Sequence, residues 1–141
     1  MHIRDARPSD VDSIIALDYL AKMHLDRVDF IAHAVTSHTC LVAESLERVL
    51  GYGVLEDSFF SHGFISMVYV ANADRRKGVG SALFKALADR CTTGKLFTST
   101  NESNHAMQSL LVKSGFLPSG VIYNLDPGDP EQVYFKPRQS P

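Results

Sequence analysis

The sequence predicts an α/β fold of the mixed-sheet kind, mostly antiparallel, with helices on the faces of the sheet. Three observations carry this. A strand-like run, Phe64 to Ala71 (FISMVYVA), is followed by a helically periodic stretch (Val79, Ala82, Leu83, Ala86, Leu87) and then by a second strand-like run, Leu96 to Thr100. Such a strand–helix–strand crossover makes a parallel pair. Two further pairs of short apolar runs, Cys40–Glu44 with Val49–Glu56 and Val121–Leu125 with Glu131–Lys136, are spaced as antiparallel hairpins. Finally, 141 residues with 45% hydrophobic and 21% charged side chains suit a single domain over 1–141. At that size a folded chain hides roughly 68% of its unfolded surface, enough for one core.

Taken in order, His2 to Ala6 reads as a short strand. Ser9 followed by Asp12 marks a helix start, and Val11, Ile14, Ile15 and Leu17 carry that helix to about Leu20. Residues 21–27 fit no period. Val28, Ile31 and Val35, with Phe30 and Ala34, give a second helix closed by His38 and Thr39. Ser45–Arg48 is a hairpin loop, and Gly51 and Gly53 inside the next strand signal a bulge or a close backbone approach. Asp57 to Gly63 is a turn that exposes Phe59 and Phe60. The near-continuous apolar run 64–71 predicts a central strand buried on both faces. A helix from Val79 to about Arg90, a turn at Thr92–Lys95 and the strand 96–100 follow. Asn101–Asn104 opens a helix bearing Met107, Leu110 and Leu111 on one face, stopped by Gly115. Phe116 and Val121–Leu125 give a strand, DPGDP (126–130) a turn, and 131–136 a last strand before a frayed tail at Arg138–Pro141. The order is β-α-α-β-β-β-α-β-α-β-β.

Composition removes several classes of function. A formal net charge of −2 argues against nucleic-acid binding through phosphates. No apolar run approaches the ~20 residues of a membrane span, and MHIRDARPSD holds no signal-like stretch. The expectation is a soluble cytoplasmic protein with no nucleic-acid or membrane partner. Cys40 and Cys91 form no CxxC pair and read as reduced core thiols. His33 and His38 are five apart with no second ligand pair at helical spacing, so no metal is expected.

The chemistry concentrates in residues 64–83, FISMVYVANADRRKGVGSAL. A strand runs into a basic, glycine-containing turn that opens a helix. The first N–H groups of a helix lack internal partners, and its dipole places positive charge there. Gly78 and Gly80 allow an anion to approach the amides of Lys77 to Ser81, and Arg75, Arg76 and Lys77 add charge. The glycine spacing fits neither a Walker loop nor the dinucleotide fingerprint. Arg75-x-x-Gly78-x-Gly80 after an apolar strand instead resembles the pyrophosphate loop of the GNAT N-acetyltransferase superfamily. NHAMQSLLVKSGF (104–116) is similar to a second stretch of that family, with Asn104, Leu110, Gly115 and Phe116 in place, and IRDARPSDVDSIIAL resembles its first strand and helix. The resemblance covers residues 2–136.

That resemblance implies the GNAT acyl-CoA N-acyltransferase fold, with acetyl-CoA lying between two splayed parallel central strands, 64–71 and 96–100. It implies cofactor contacts from the backbone of Val68, Tyr69 and Val70, and a pyrophosphate held by Arg75, Arg76, Lys77, Gly78, Val79, Gly80 and Ser81. The Val68 amide is implied to stabilise the oxyanion. Asn104 reaches the pantetheine arm, caps its helix, or both. The reaction implied is direct attack of a neutral amine on the thioester, which needs a base. Glu56 is the first choice, with Asp57, Glu44, His62 and a water relay through Ser66 behind it. Many members of the family have a tyrosine where this chain has Leu111, so Tyr69 and Tyr123 are the substitutes as proton donor, or coenzyme A leaves as thiolate or takes a proton from water. The acceptor pocket is implied to be walled by residues 19–30 and 124–131. Asp18, Asp26, Asp29, Asp126, Asp129 and Glu131 there either attract a cationic amine or serve as turn residues. The expected partner is a small-molecule or amino-acid-like amine. A non-catalytic acyl-CoA-binding module and a protein or peptide amine are the alternatives. Phe59 and Phe60 line a pocket or make a homodimer contact.

Overall fold

The computed structural model describes residues 1–138. Its strands are β1 (His2–Asp5), β2 (Cys40–Ser45), β3 (Arg48–Phe59), β4 (His62–Val70), β5 (Lys95–Asn101), β6 (Leu117–Ile122) and β7 (Glu131–Pro137). Its helices are α1 (Val11–Leu17), α2 (Leu25–Thr36), α3 (Val79–Arg90) and α4 (His105–Lys113), with single 3-10 turns at Pro8–Asp10 and Asn72–Asp74. This is the expected order of elements. The seven strands form one mixed sheet in the order β1-β2-β3-β4-β5-β7-β6. The chain divides into two compact units, Met1–Leu55 with Met67–Asp89, and Glu56–Ser66 with the residues from Arg90 onward.

In the first unit, β1 and β2 pair antiparallel from His2↔Glu44 to Asp5↔Leu41. Between β2 and β3 the register slips: Ala43 faces Gly51 but Glu44 faces Val49, which leaves Leu50 as a bulge residue. The hairpin loop is shorter than expected. Ser45 pairs with Arg48, so only Leu46 and Glu47 turn, both at positive φ (51° and 62°). Those angles describe a type I′ turn, whose twist matches the strands. Nothing in Leu-Glu announces it.

The glycines of β3 answer a close approach rather than a turn. A Cβ on Gly51 would lie 2.7 Å from the Tyr69 carbonyl oxygen, and one on Gly53 2.7 Å from Leu87 Cδ1 and 3.2 Å from the Met67 carbonyl. Tyr52 between them is fully buried with Ile14, Ile31, Val42 and Val54 in the core of this unit. Burying each such side chain contributes about 1.5–3 kcal/mol. Cys40 lies in the same core, and burial pushes its thiol up to about 12. Both cysteines are free, but Cys91 is only half-buried.

Helix boundaries depart from the sequence reading for polar reasons. Ser9 is exposed and does not cap α1. Asp10 takes the role at the preceding turn: it accepts the Arg7 N–H at 2.7 Å and both Arg4 amino groups at 2.8 and 2.9 Å. Arg4 also donates to Glu44 at 2.7 Å, joining that turn to β2. α1 ends at Leu17 rather than Leu20 because Asp18 turns extended. α2 starts three residues before the periodic run and ends as expected, with His38 at φ 61°.

In the second unit, residues 57–59 are strand, and the loop to β4 is again two residues, Phe60 and Ser61, at φ 51° and 66°. The Asp57–Gly63 turn of the sequence reading is thus mostly ladder. β4 is central in strand order but not buried on both faces. Only Gly63 and Ile65 are buried, while Ser66–Val70 are half-buried. Its parallel pairing with β5 runs from Gly63↔Leu96 to Ile65↔Thr98, three of its nine residues. Apolar, β-branched composition marks a strand inside a sheet but says nothing of how far its neighbour follows it.

β7 pairs antiparallel with β5 from Lys95↔Pro137 to Asn101↔Glu131, and β6 pairs with β7. β6 begins at Leu117, four residues before the expected start, with a register shift between Pro118 and Gly120. α4 closes in a Schellman motif around Gly115 (φ 89°): Phe116 N–H donates to the Leu111 carbonyl at 3.0 Å and Gly115 N–H to Val112 at 3.1 Å. Of the expected frayed tail, Arg138 is tied by its N–H to the Gly94 carbonyl at 3.0 Å, and 139–141 lie outside the described residues.

Gly51→Ala places its Cβ against backbone and is expected to destabilise by about 1–3 kcal/mol, whereas Gly94→Ala, with nothing within 4 Å, leaves the urea midpoint almost unchanged. The hydrogen bonds from Arg4 hold the Asp10 carboxyl below its ordinary value. Its contribution to stability is therefore complete above about pH 4 and is lost as pH falls through the lower folded value. Urea melts at pH 7 and pH 3 should show a smaller acid-induced loss for Asp10→Asn than for the parent chain.

Candidate functional site

The strand-to-helix junction between β4 and α3 is built by a buried carboxylate. Ala71 N–H donates to the Leu50 carbonyl at 2.8 Å, which ends β4, and the turn Asn72–Asp74 closes through Asp74 N–H to the Ala71 carbonyl at 2.9 Å. Asp74 is buried and receives both Arg48 amino groups at 2.8 and 2.9 Å. Arg48 thereby holds the Asp74 carboxyl below its usual range. Lys77 Nζ lies 3.9 Å from the same carboxylate. The Arg48–Asp74 pair escaped the sequence reading, because 26 residues separate the two and neither belongs to a motif.

Arg75 folds back. Its Nε donates to the Val70 carbonyl at 3.2 Å and its guanidinium lies 5.5 Å from the Tyr69 ring centre. The Val70 carbonyl, which the family resemblance leaves free for a ligand, is thus occupied by Arg75 in this structure. Arg76 and Lys77 are exposed, Arg76 at φ 63°. Gly78 sits at φ 83°, and a Cβ there would meet nothing within 4 Å. Val79 is buried and seats the first turn of α3, which carries no acidic residue. Gly80 and Ser81 follow inside that turn. The arrangement offers helix N–H groups, three exposed cations, of which Arg75 is folded back onto Tyr69, and open space at Gly78, which suits an anion such as a pyrophosphate.

Alongside lies a buried polar cluster in the same unit. Asp18 is fully buried and accepts from the Tyr52 hydroxyl at 2.6 Å, Arg27 Nε at 2.8 Å, Leu20 N–H at 3.0 Å and Ala21 N–H at 3.3 Å. Burial, and then the hydrogen bond to Asp18, push the Tyr52 phenol well above its ordinary value. Asp18 is therefore no surface attractor for an amine, in contrast to the sequence reading; Asp26 and Asp29 remain exposed. Tyr69 joins this cluster. Its hydroxyl accepts the Tyr19 N–H at 3.2 Å, and the Arg27 guanidinium lies 5.8 Å from its ring centre.

Val68, half-buried on β4, belongs to this first unit with Tyr69, Val70 and residues 75–81. Glu44 is tied to Arg4, which holds its carboxyl low and leaves it a poor proton acceptor.

The other candidate residues belong to the second unit. Glu56 is half-buried on β3, and Asp57 next to it is exposed. Ser66 Oγ and His62 Nδ1 are buried without a hydrogen-bond partner among the described residues. Phe59 is committed to an aromatic cluster, 4.7 Å from Phe64 and 5.2 Å from Phe97, while Phe60 stands exposed at the hairpin tip. Asn104 caps α4, its Oδ1 accepting the Met107 N–H at 3.1 Å. Leu111 is fully buried, so a tyrosine there would have to displace core. Tyr123 is exposed beyond β6 and lines a depression of about 210 Å³ with Asn124, Asp126, Gly128 and Asp129. The carboxylates of this loop hold it in shape: Asp126 accepts from Asn101, Asp129 from the N–H and hydroxyl of Ser103, and Glu131 from Ser99. Among the described residues no three His, Cys, Asp or Glu side chains gather as a metal site, and no helix is long and apolar enough to cross a membrane.

Residues 9–116 match the model of the Acetyltransferase (GNAT) family. A GNAT-family acetyltransferase structure from Bacillus cereus ATCC 10987 is 31% identical, with a TM-score of 0.91 over 98% of this chain and 97% of that one. Ard1 from Thermoplasma volcanium is 19% identical, with a TM-score of 0.82 over 99% and 98% of the two chains. The structure of yncA from Salmonella typhimurium with its cofactor acetyl-CoA is 22% identical, with a TM-score of 0.77 over 96% and 92%. The last two show the shared fold.

Proposed function

The chain belongs to the GNAT acetyltransferase family, and from that premise we propose that it transfers the acetyl group of acetyl-CoA to the primary amine of a small, amino-acid-like acceptor. The observation that carries the reading is the junction at 71–81, where exposed Arg76 and Lys77, open Gly78 and the N-terminus of α3 follow directly on β4. The residues present fit the anionic end of coenzyme A.

Acetyl-CoA supplies the acetyl group as a thioester. The N–H groups of Lys77 to Ser81, with the cations of Arg76 and Lys77, hold its pyrophosphate. The Val68 N–H donates to the thioester oxygen as negative charge develops there, a contribution worth roughly 10²–10³ in rate for donors of this kind. Arg75 serves the loop from behind, through the Val70 carbonyl and the Tyr69 ring. An ammonium has no lone pair, so the acceptor must lose a proton before attack; Glu56 accepts it, directly or through water. The N–C bond would form first, placing the charge on the thioester oxygen; as that charge returns to the carbonyl the C–S bond would break, and the sulfur would leave as thiolate or take a proton from Tyr123 or from water. Asn104 has its carbonyl engaged in the cap, which leaves its amide for the pantetheine arm.

Isothermal titration with coenzyme A and thiol release in the presence of amines test this reading. Gly80→Glu is expected to weaken coenzyme A binding by at least ~100-fold, because a carboxylate then occupies the anion's place. An acid in the first helical turn is compatible with the helix, so the circular dichroism spectrum should be retained. Unchanged affinity would overturn the loop assignment. Glu56→Gln should lower turnover by roughly 10²–10⁴ with coenzyme A affinity intact; full activity would remove it as the base. Release with peptide N-termini alone would replace the small amine by a peptide acceptor.

A further inference from the structure

Successive side chains of a strand point to opposite faces of its sheet. On β3, Gly51 and Gly53 face α3, because a Cβ on them would lie 3.4 Å from Leu83 Cδ1 and 2.7 Å from Leu87 Cδ1. Tyr52 between them faces the other way, into the core with Ile14 of α1 and Ile31 of α2. Tyr69 packs on that same core, its ring centre 6.4 Å from that of Tyr52. The Arg75 guanidinium lies 5.5 Å from the Tyr69 ring centre, which puts it on the α1–α2 face of the sheet, opposite α3. Its Nε donates to the Val70 carbonyl at 3.2 Å, and among the described residues no carboxylate or other acceptor takes its two terminal amino groups. A guanidinium fixed through Nε and a ring, with both amino groups exposed, is a fork shaped for a carboxylate. Apolar surface stands on the same face. The Tyr69 hydroxyl accepts the Tyr19 N–H at 3.2 Å, and Tyr19 (65% exposed), Leu20 and Met23 (62% exposed) present large side chains to solvent in that segment. Asp18 beside them is already paired with Arg27 and leaves Arg75 without a counter-charge.

We propose that Arg75 binds a carboxylate of the acceptor, and that the acceptor is an apolar α-amino acid whose side chain lies against Tyr19, Leu20 and Met23. This deepens the transferase reading and rests on it, with Val68 N–H as the donor to the thioester oxygen. Three features choose this acceptor class. The unpaired cation attracts an anionic group and repels a polyamine. The exposed apolar side chains gain by covering a hydrocarbon body rather than a charged one. Arg75 is bonded to Val70, and two residues of strand, about 7 Å, separate Val70 from Val68. The carboxylate and the reacting amine therefore sit close together on the acceptor, as they do across one α-carbon. The anion at Arg75 is not the cofactor's pyrophosphate, because the N–H groups of α3 that suit a phosphate belong to the other face of the sheet.

Thiol release from acetyl-CoA with leucine, leucinamide, alanine and putrescine reads the acceptor class. Leucine should exceed leucinamide in kcat/KM by roughly 10- to 100-fold, the worth of a charge-assisted fork, and alanine by about 10-fold; putrescine should be the poorest. Arg75→Gln should bring leucine down to the level of leucinamide, chiefly through KM. Its coenzyme A affinity by isothermal titration should stay within about threefold, and its circular dichroism spectrum should match the parent's. Tyr19→Ser should narrow the gap between leucine and alanine and keep the gap between leucine and leucinamide. Leucinamide or putrescine equal to leucine in the parent protein overturns the proposal. So does Arg75→Gln if it keeps the preference for leucine over leucinamide and weakens coenzyme A more than about tenfold, since Arg75 then serves the pyrophosphate. If no amine releases thiol, the transferase reading falls. Titration of the cofactor-free protein with leucine then still decides the carboxylate site: binding lost in Arg75→Gln supports it, and no binding, or equal binding by the variant, overturns it.

Discussion

The carboxylate of Asp74, gripped by both arms of Arg48, is the constraint on which the anion-binding junction depends. It fixes where β4 gives way to α3. The Leu50 bulge brings a carbonyl to the Ala71 N–H, and Arg48, two residues before Leu50, brings the cation to Asp74. The junction's one buried acid is thereby neutralised from β3. Arg76 and Lys77 are left exposed in a turn whose following helix begins without an acidic residue. A positive, open helix start persists only because its negative charge has been paired elsewhere.

A second buried carboxylate organises the same unit. Asp18 accepts four hydrogen bonds, two from side chains and two from backbone. Removing a carboxylate from water is costly unless its lone pairs are met, and here they are. The result is a segment after α1 that is not helical yet is held at several points. Tyr69 and Tyr52 carry that order to the strands, with ring centres 6.4 Å apart. The close approach of β3 and β4 at Gly51 and Gly53 makes room for this arrangement: a side chain at either glycine would meet the β4 backbone at 2.7 to 3.2 Å.

At the helix ends, where the sequence reading and the structure part, the cause is polar. Helix α1 stops early because Asp18 turns inward, and Asp10 rather than Ser9 stands at the N-cap position of α1, its carboxylate held by Arg4 and the Arg7 N–H instead of by helix N–H groups. The two hairpins carry Leu-Glu and Phe-Ser where φ is positive, without the glycine or asparagine that would announce them. Hydrophobic periodicity is local and survives into the fold. Ion pairs over 26 or 40 residues leave no periodic trace.

The sequence by itself determined the order of elements, the parallel crossover and the glycine turn, because each follows from side-chain period or from chemistry compressed into a few neighbouring residues. It determined the family as well, since RRKGVG after an apolar strand is local. The tertiary structure alone decided which charges are available. Asp18, Glu44 and Asp74 read alike as acids in the chain, yet each is committed to an arginine, whereas Glu56 makes no such pair among the described residues. Arg75 and Arg76 are adjacent in sequence, yet one is folded back onto Tyr69 and the other stands open. Charge availability depends on distance in space and on burial, and neither is written in spacing along the chain.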